Sequence, residues 1–270
     1  MTLTHNDSFP RLEYFTADNI HSSGLTAIFS TRNGGVSGVL PETEFLQSLN
    51  LQLHSGPDTD ANIDENYRII ASSQGFRPDA VISVHQVHAD RIIAVDGKMA
   101  KGREADALIT NRKGFLLSVR TADCVPLLLY DSVNEAVGAV HAGWQGTFMG
   151  IAPKTVKRMG ELYGTKPADV RAAIGPAIGV CCYEVDEKFH EQFFDEYKEK
   201  INPFFVQKPG RKPSCDLKAM NRAFLVEAGV LEANIETADF CTMCNPALFY
   251  SHRRSGEKRG TMAAFIGMRE

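Results

Sequence analysis

The chain has 270 residues, of which 43% are hydrophobic and 23% are charged, a composition typical of a globular protein with a sizeable core. A net charge of −4 without a long basic run argues against a nucleic-acid partner. No apolar run reaches the roughly 18 residues of a membrane span, and the N-terminal MTLTHNDSFPRLEYF lacks the apolar region of a signal peptide. Six cysteines without a signal are typical of reduced thiols in the cytoplasm.

Hydrophobic patterning predicts strands and helices along most of the chain. Short apolar runs predict strands at Leu25–Ser30, Ala80–Val84, Ile92–Val95 (returning from the preceding strand), Ala105–Thr110, Phe115–Val119, Val125–Tyr130, Ala136–Val140, Val170–Ile174 and Met262–Ile266. Amphipathic spacing predicts helices at Asp60–Ser73, Ile151–Tyr163, Val185–Ile201 and after an N-cap at Asp216. Strands outnumber helices, so we expect one α/β domain over residues 1–270, with a mixed β-sheet and flanking helices.

The stretch TADCVPLLLYDSVNEAVGAVHAGWQGT, residues 121–147, contains two predicted strands joined by a turn. Cys124 precedes the first strand and His141 ends the second, so pairing of the strands would bring both to the same end of a hairpin. A thiol and an imidazole placed in this way can ligate one metal ion or form a nucleophile–base pair. A buried cysteine and a packed histidine, each satisfied locally, are the alternative.

Two further stretches carry candidate residues. Arg32 stands in TRNGG, where it could clamp an anion beside a flexible Gly-Gly, although a plain turn with a solvated arginine fits equally. His85 and His88 follow the predicted strand Ala80–Val84. Strand alternation would place these two histidines on opposite faces and keep them from ligating the same atom.

Four cysteines form two close pairs, Cys181 with Cys182 and the CxxC of Cys241 and Cys244. Together they could form a structural four-cysteine zinc site in a binding module, and a CxxC also fits thiol redox chemistry. The adjacent pair lacks the gap of a zinc ribbon, so unpaired core thiols near the active site are the simpler interpretation. GxGxxG and P-loop motifs are absent, which disfavours a dinucleotide or Walker-type nucleotide role.

Eight motifs within residues 29–264 resemble, in order, those of the YfiH/YlmD-type laccase-domain family, once described as multicopper polyphenol oxidoreductases. They are FSTRNGG, SLNL, HQVHAD, ADALIT, TADCVPLLLYD, VGAVHAGWQGT, AAIGPAIGVCCYEV and FYSHRRSGEKRGTMAA. The resemblance implies zinc bound by His88, Cys124 and His141 in an α/β fold that can act as a single chain. It also implies phosphorolysis of adenosine, inosine, guanosine and methylthioadenosine, with deamination of adenosine, so that a purine nucleoside and phosphate are the expected partners.

The residues fit this chemistry. Zinc with three protein ligands keeps an open position, and its bound water has a pKa of about 7, low enough for attack at purine C6. Arg32 and Arg253 are candidates for binding phosphate. Asn50, Gln86 and Asp123 are candidates for binding base or ribose, and Asp123 could instead hydrogen-bond a ligand histidine.

Other functions and residues stay open at this stage. Copper can occupy a site of two histidines and one cysteine, but a multicopper oxidase needs more copper ligands, and the eight histidines form no HxH pair. Editing of peptidoglycan precursors is a further family-related role. His54 and His85 fit a structural or a substrate-binding role equally. Arg259 precedes Gly260 where the family often has a Gly-Arg pair, which puts a specific function of Arg259 in doubt.

Overall fold

A computed structural model describes residues 1–6, 8–38, 48–53, 58–97, 102–207 and 209–270. Within these ranges the strands are Thr2–Asn6 (β1), Phe9–Thr16 (β2), Leu25–Ser30 (β3), Asn33–Ser37 (β4), Val81–Ile82 (β5), Ile92–Ala94 (β6), Ala107–Thr110 (β7), Leu116–Thr121 (β8), Val125–Asp131 (β9), Ala136–Ala142 (β10), Val170–Ile174 (β11), Phe205–Val206 (β12), Ser214–Cys215 (β13), Ile235–Thr237 (β14) and Met262–Met268 (β15). The α-helices are Asp60–Ser73 (α1), Trp144–Phe148 (α2), Ile151–Tyr163 (α3), Glu187–Tyr197 (α4), Leu217–Glu227 (α5) and His252–Ser255 (α6).

Twelve of the fifteen strands in the described residues form two six-stranded sheets, and β12 and β13 form a separate pair. Strand β4 has isolated bridges to Ser48 instead. The first sheet has the order β1-β2-β3-β15-β8-β5, and the second has the order β14-β11-β9-β10-β7-β6. Both are mixed, because β5 runs parallel to β8 in the first sheet, while β6 and β14 run parallel to their neighbours in the second. The predicted α/β class with mixed sheet and flanking helices is confirmed, with the strands shared between two sheets.

The core is arranged in four layers. Val119 of the first sheet and Leu128 of the second belong to the apolar cluster between the sheets. On the outer face of the first sheet, Tyr67 of α1 packs edge-on against Phe265 at a ring-centroid distance of 6.2 Å. Met159 of α3 packs with the cluster on the outer face of the second sheet. Strands β9 and β10 are buried along their whole length, which explains their continuous apolar runs.

Two of the predicted helices have the expected bounds, and a third is shorter than predicted. Helix α1 has the predicted bounds, although Thr59 rather than Asp60 is its N-cap and accepts the N–H of Asn62. Helix α3 also has the predicted bounds and ends at Gly164, with φ of +78°. The helix predicted at Val185–Ile201 is shorter, because Asp186 caps it and a 3-10 turn follows from Lys198.

Several pairings differ from expectation. Ile92–Val95 does not return beside Ala80–Val84, because β5 and β6 belong to opposite sheets. Strands β7 and β8 are likewise in different sheets. The sequence patterns also missed β1. Its residues are mostly polar, and exposure alternates only weakly along the strand. Among the described residues, no helix has both the length and the apolar character needed to cross a bilayer.

Candidate functional site

The β9–β10 hairpin brings Cys124 and His141 to one end of the second sheet. His141 pairs with Pro126 across the hairpin, so the predicted antiparallel arrangement is confirmed. His88 joins them from the segment between β5 and β6. One ligand-type atom from each of the three side chains lies within 4.8 Å of the other two, the spacing expected of ligands to one metal ion.

Two of the three side chains lie where the chain crosses between the sheets. His88 stands on the crossing from β5 to β6, and Cys124 stands on the crossing from β8 to β9. His88 adopts a φ of +58°, which no regular strand permits. The strand ends at Ile82, so strand alternation does not govern these residues. The two histidines are nevertheless kept apart, since His88 belongs to the cluster and His85 does not.

The buried carboxylate of Asp106 holds this segment in place. Its two oxygens accept the backbone N–H groups of Val87, His88 and Ala89 at 3.3, 3.0 and 2.8 Å. One of these oxygens also lies 2.8 Å from Nδ1 of His141. A carboxylate on Nδ1 fixes the tautomer and leaves Nε2 to bind a metal.

Asp106 is the functional residue that sequence reasoning missed. It was expected only as part of the motif ADALIT, and the hydrogen-bonding role was assigned to Asp123. A carboxylate immediately before the apolar strand β7 was the available signal, since a charge that is fully buried needs partners.

The electrostatics of the site couple the thiol to the imidazole. Burial opposes the charged form of each group, but it is outweighed by the attraction between the Cys124 thiolate and the His141 imidazolium together with the hydrogen bonds that these groups make with each other, with His88 and with Asp106. The pKa of Cys124 falls to about 6, and that of His141 rises to about 9 with the help of Asp106. Without a metal, the pair is therefore a thiolate–imidazolium ion pair near neutral pH.

Gly143 leaves the space between the three side chains open. A Cβ at this position would lie 2.9 Å from Cδ2 of His88, 3.2 Å from Sγ of Cys124 and 3.8 Å from Cε1 of His141. The absence of a side chain thus preserves a cradle surrounded by one sulfur and two nitrogen donors. This donor set fits zinc and also fits copper.

Asp123 contacts the loops around the cluster and does not bond to a ligand histidine in the described residues. One of its oxygens accepts from Thr242 Oγ1 at 2.5 Å, and the other accepts from Ser251 Oγ at 2.9 Å and from the N–H of Arg253 at 2.7 Å. Its φ of +92° turns the chain immediately before Cys124. Both oxygens are occupied by protein donors, so the expected bond to a ligand histidine is wrong.

Asn50 and Gln86 bond to backbone groups. The Oδ1 atom of the buried Asn50 accepts the N–H of Thr261 at 3.1 Å. Gln86 donates to the carbonyl of Arg120 and accepts the N–H of the same residue, both at 2.8 Å. The two contacts of Gln86 pair its side chain with the backbone of β8, whereas Asn50 links its own segment to the residue before β15.

The arginines expected to bind phosphate differ in exposure. Arg32 is buried, donates to the carbonyl of Pro246 at 3.1 Å and lies over the ring of Tyr250. Arg253 is exposed, and its guanidinium lies 5.2 Å from the centre of the Tyr183 ring. Since Asp123 binds its backbone N–H, Arg253 is tied to the chain next to Cys124.

Arg259 is a second cation close to the cluster. Burial lowers its pKa, and the negative charges of Glu257, Cys124 and Asp123 oppose that effect. Its Nε atom is buried without a hydrogen-bond partner among the described residues. The altered Arg-Gly order therefore still places a guanidinium near Cys124.

The remaining histidine candidates do not join the cluster. His85 is exposed, and its backbone N–H donates to the carbonyl of Arg103. His54 lies outside the described residues. A surface cavity of about 430 Å³ lies beside α4, where Glu187 and Glu191 contribute to its lining, but it contains none of the three ligand-type residues. Glu187 and Glu191 make its lining acidic, which disfavours an anion such as phosphate.

Comparison with known proteins identifies the family. The model described as "Multi-copper polyphenol oxidoreductase laccase" matches residues 26–269. The chain is 35% identical over 261 residues to "Purine nucleoside phosphorylase YlmD" of Bacillus subtilis, covering 93% of this chain and 91% of that protein. It is 37% identical over 259 residues to the protein of the same name from Geobacillus stearothermophilus, covering 92% of each.

A solved structure supports the same assignment. The crystal structure of the Bacillus licheniformis hypothetical protein YfiH superposes with a TM-score of 0.85 at 36% identity, covering 92% of this chain and 94% of that chain. Sequence match, curated relatives and fold agree over nearly the whole length. The chain therefore belongs to the YfiH/YlmD-type laccase-domain family.

Proposed function

We propose that this protein is a zinc-dependent purine nucleoside phosphorylase with adenosine deaminase activity. The proposed substrates are adenosine, inosine, guanosine and methylthioadenosine, each cleaved with phosphate to the free base and the corresponding ribose 1-phosphate. The observation that carries the proposal is the convergence of His88, Cys124 and His141 within 4.8 Å, beside relatives named purine nucleoside phosphorylases.

The three side chains are proposed to hold the zinc ion. A zinc ion in a three-ligand site supplies a Lewis acid and lowers the pKa of water to about 7, which suits the deaminase activity. Asp106 orients His141 through Nδ1 and fixes the loop of His88 through backbone N–H groups. His88 is exposed, so the cluster can be approached from solvent on that side.

Phosphorolysis requires a cation beside the reacting sugar. A phosphate oxygen forms a bond to C1′, the bond from C1′ to the purine nitrogen breaks, and the purine keeps the electron pair and takes a proton. Arg253 and Arg259 are proposed to bind the phosphate, since both lie near Cys124 and a guanidinium binds phosphate oxygens in pairs. The side chains of Arg32, Asn50 and Gln86 bond to backbone groups of Pro246, Thr261 and Arg120, and they are proposed to shape the surrounding loops.

Chromatography of nucleoside reactions with and without phosphate tests the function. Inosine with phosphate should give hypoxanthine and ribose 1-phosphate, and adenosine should additionally give inosine. Cys124→Ala should abolish both reactions, while Cys215→Ala, which removes a buried thiol outside the cluster, should retain them. The phosphorylase proposal would be overturned if no purine nucleoside released its base. It would also be overturned if the base were released equally without phosphate.

The family description makes copper oxidation the second candidate. Among the described residues, His88 and His141 are the only histidines in a group of three or more ligand-type side chains, which is too few for a mononuclear and a trinuclear copper centre. We therefore expect zinc rather than several coppers after purification without added copper. Oxygen uptake with a polyphenol that depends on bound copper would favour the oxidase instead.

A further inference from the structure

A second cluster of ligand-type side chains lies outside the proposed active site. Cys181 and Cys182 stand on a turn after β11, and Cys241 and Cys244 stand on the loop after β14. The four sulfur atoms all lie within 4.8 Å of one another. All four are free thiols, as expected, but Cys181 and Cys244 are exposed, so the expectation that these thiols lie in the core is wrong.

We propose that these four cysteines bind a structural zinc ion. Four thiolates at about 2.3 Å from zinc in a tetrahedron stand about 3.8 Å from one another. The sulfur of Cys244 lies 3.7 Å from that of Cys181 and 3.3 Å from that of Cys182. Small side-chain adjustments bring this set to tetrahedral zinc geometry.

A tight turn allows the adjacent residues Cys181 and Cys182 to bind the same ion, although they lack the gap of a zinc ribbon. Neighbouring side chains on an extended strand point to opposite faces and cannot share one ion. Here the N–H groups of Cys182 and Tyr183 both donate to the carbonyl of Gly179, at 2.9 and 3.0 Å. This turn places both Cys181 and Cys182 within reach of the CxxC loop.

The groups around the cluster favour bound thiolates. The N–H of Gly179 donates to Sγ of Cys241 at 3.2 Å, and the N–H of Cys244 bonds to the same sulfur. Four thiolates around a divalent zinc carry a net negative charge. The buried ammonium of Lys218 donates to the carbonyls of Ala238 and Phe240 at 2.6 and 3.1 Å, which places its positive charge beside the cluster.

The proposed ion would fasten the loops that support the active site. Thr242 lies inside the CxxC and donates to Asp123, which directly precedes Cys124. The N–H of Thr242 also bonds to the carbonyl of Ala177, on the segment that leads to Cys181. The zinc therefore cross-links two loops behind the active site without entering it.

Zinc content of purified variants tests the proposal. Cys244→Ala should contain about one zinc per chain less than Cys215→Ala, because one four-sulfur site is lost. Equal zinc content in these two variants would overturn the proposal. Cys215→Ala is the matched control, since it removes a fully buried thiol from outside the cluster.

X-ray absorption spectroscopy provides the second measurement, which does not depend on folding of Cys244→Ala. Cys124→Ala keeps all four clustered cysteines, and its zinc should show four sulfur neighbours at about 2.3 Å. The four-cysteine zinc site would be contradicted by zinc bound only to nitrogen and oxygen, or by iron in place of zinc. A mass lower by two hydrogens, which marks a disulfide, would contradict it as well. Loss of the proposed catalytic zinc from this variant leaves the four-sulfur signal in place, so the two proposals fail separately.

Discussion

Asp106 and His141 form a buried carboxylate–imidazole pair, with 2.8 Å between Oδ1 and Nδ1. The same carboxylate accepts three consecutive backbone N–H groups from the loop that carries His88. One side chain thus sets the ring orientation of one proposed ligand and the backbone position of another. The order of the site depends on a residue that binds no metal itself.

Asp106→Asn should weaken zinc binding by roughly 10- to 100-fold, because the neutral amide cannot accept all of these hydrogen bonds. Competition with a chromophoric chelator measures the affinity. Asp79→Asn, at a residue that is 72% exposed and paired with Arg77, is the control and should bind zinc normally. Wild-type affinity in Asp106→Asn would contradict a supporting role.

Gly143→Ala should lower zinc affinity and turnover together. The added Cβ would lie 2.9 Å from the His88 ring and 3.2 Å from the Cys124 sulfur, inside the space between the proposed ligands. We expect a loss of about 10-fold or more, comparable to disrupting the support of a metal ligand. In Gly38→Ala the new methyl meets no atom of the described residues within 4 Å, and zinc titration of this variant should match wild type.

Zinc affinity should rise with pH. Metal binding needs a thiolate and a neutral imidazole, whereas the metal-free pair has a Cys124 pKa of about 6 and a His141 pKa of about 9. Between these values the thiolate is present but His141 must lose its proton, so binding releases about one proton. Calorimetry in buffers of different ionisation enthalpy counts that proton, and release of none at a pH of about 7.5 would contradict the ion pair.

Asp123→Ala should destabilise the fold by roughly 3 kcal/mol, since it leaves buried donors unpaired at a strained backbone position. Asp123→Asn should cost less, because asparagine tolerates positive φ and keeps one acceptor. Urea unfolding gives both values. Equal stabilities of the alanine variant and wild type would show that the contacts to Thr242 and Ser251 contribute little.

Arg259→Met should raise the KM for phosphate roughly 10- to 100-fold, the loss expected for one charged hydrogen-bonding group, with little change in the KM for inosine. Steady-state kinetics with each substrate varied in turn separates the two. Arg77→Met removes an exposed guanidinium that follows α1 in the chain, and it serves as the control. An equal rise in both KM values would indicate a general disturbance rather than phosphate binding.

Local patterns predicted the helices and central strands well. Helices α1 and α3 match their predicted bounds because apolar residues recur at helical spacing along both, and a cap residue marks one end of each, Thr59 before α1 and Gly164 after α3. Alternation and apolar runs indicate that a strand is buried. They do not indicate which sheet the strand joins. The assignment of β7 and β8 to facing sheets therefore required the tertiary structure.

The proposed ligands were named from sequence, whereas their supports were not. Cys124 and His141 are joined by a short hairpin that the apolar runs predict directly. The contact between Asp106 and His141 spans 35 residues, and the one between Asp123 and Thr242 spans 119. Polar contacts between residues so far apart in the sequence form only when whole layers pack together. They therefore leave no local pattern in the sequence.

The two crossings that carry His88 and Cys124 have a consequence for assembly of the protein. Both segments span the two sheets, so their final positions require the sheets to be docked. We therefore expect capture of the proposed metal ion late in folding. A chain in which the layers have collapsed but slid relative to each other would have normal secondary structure and no binding site. Uptake of the ion thus marks completion of the native packing.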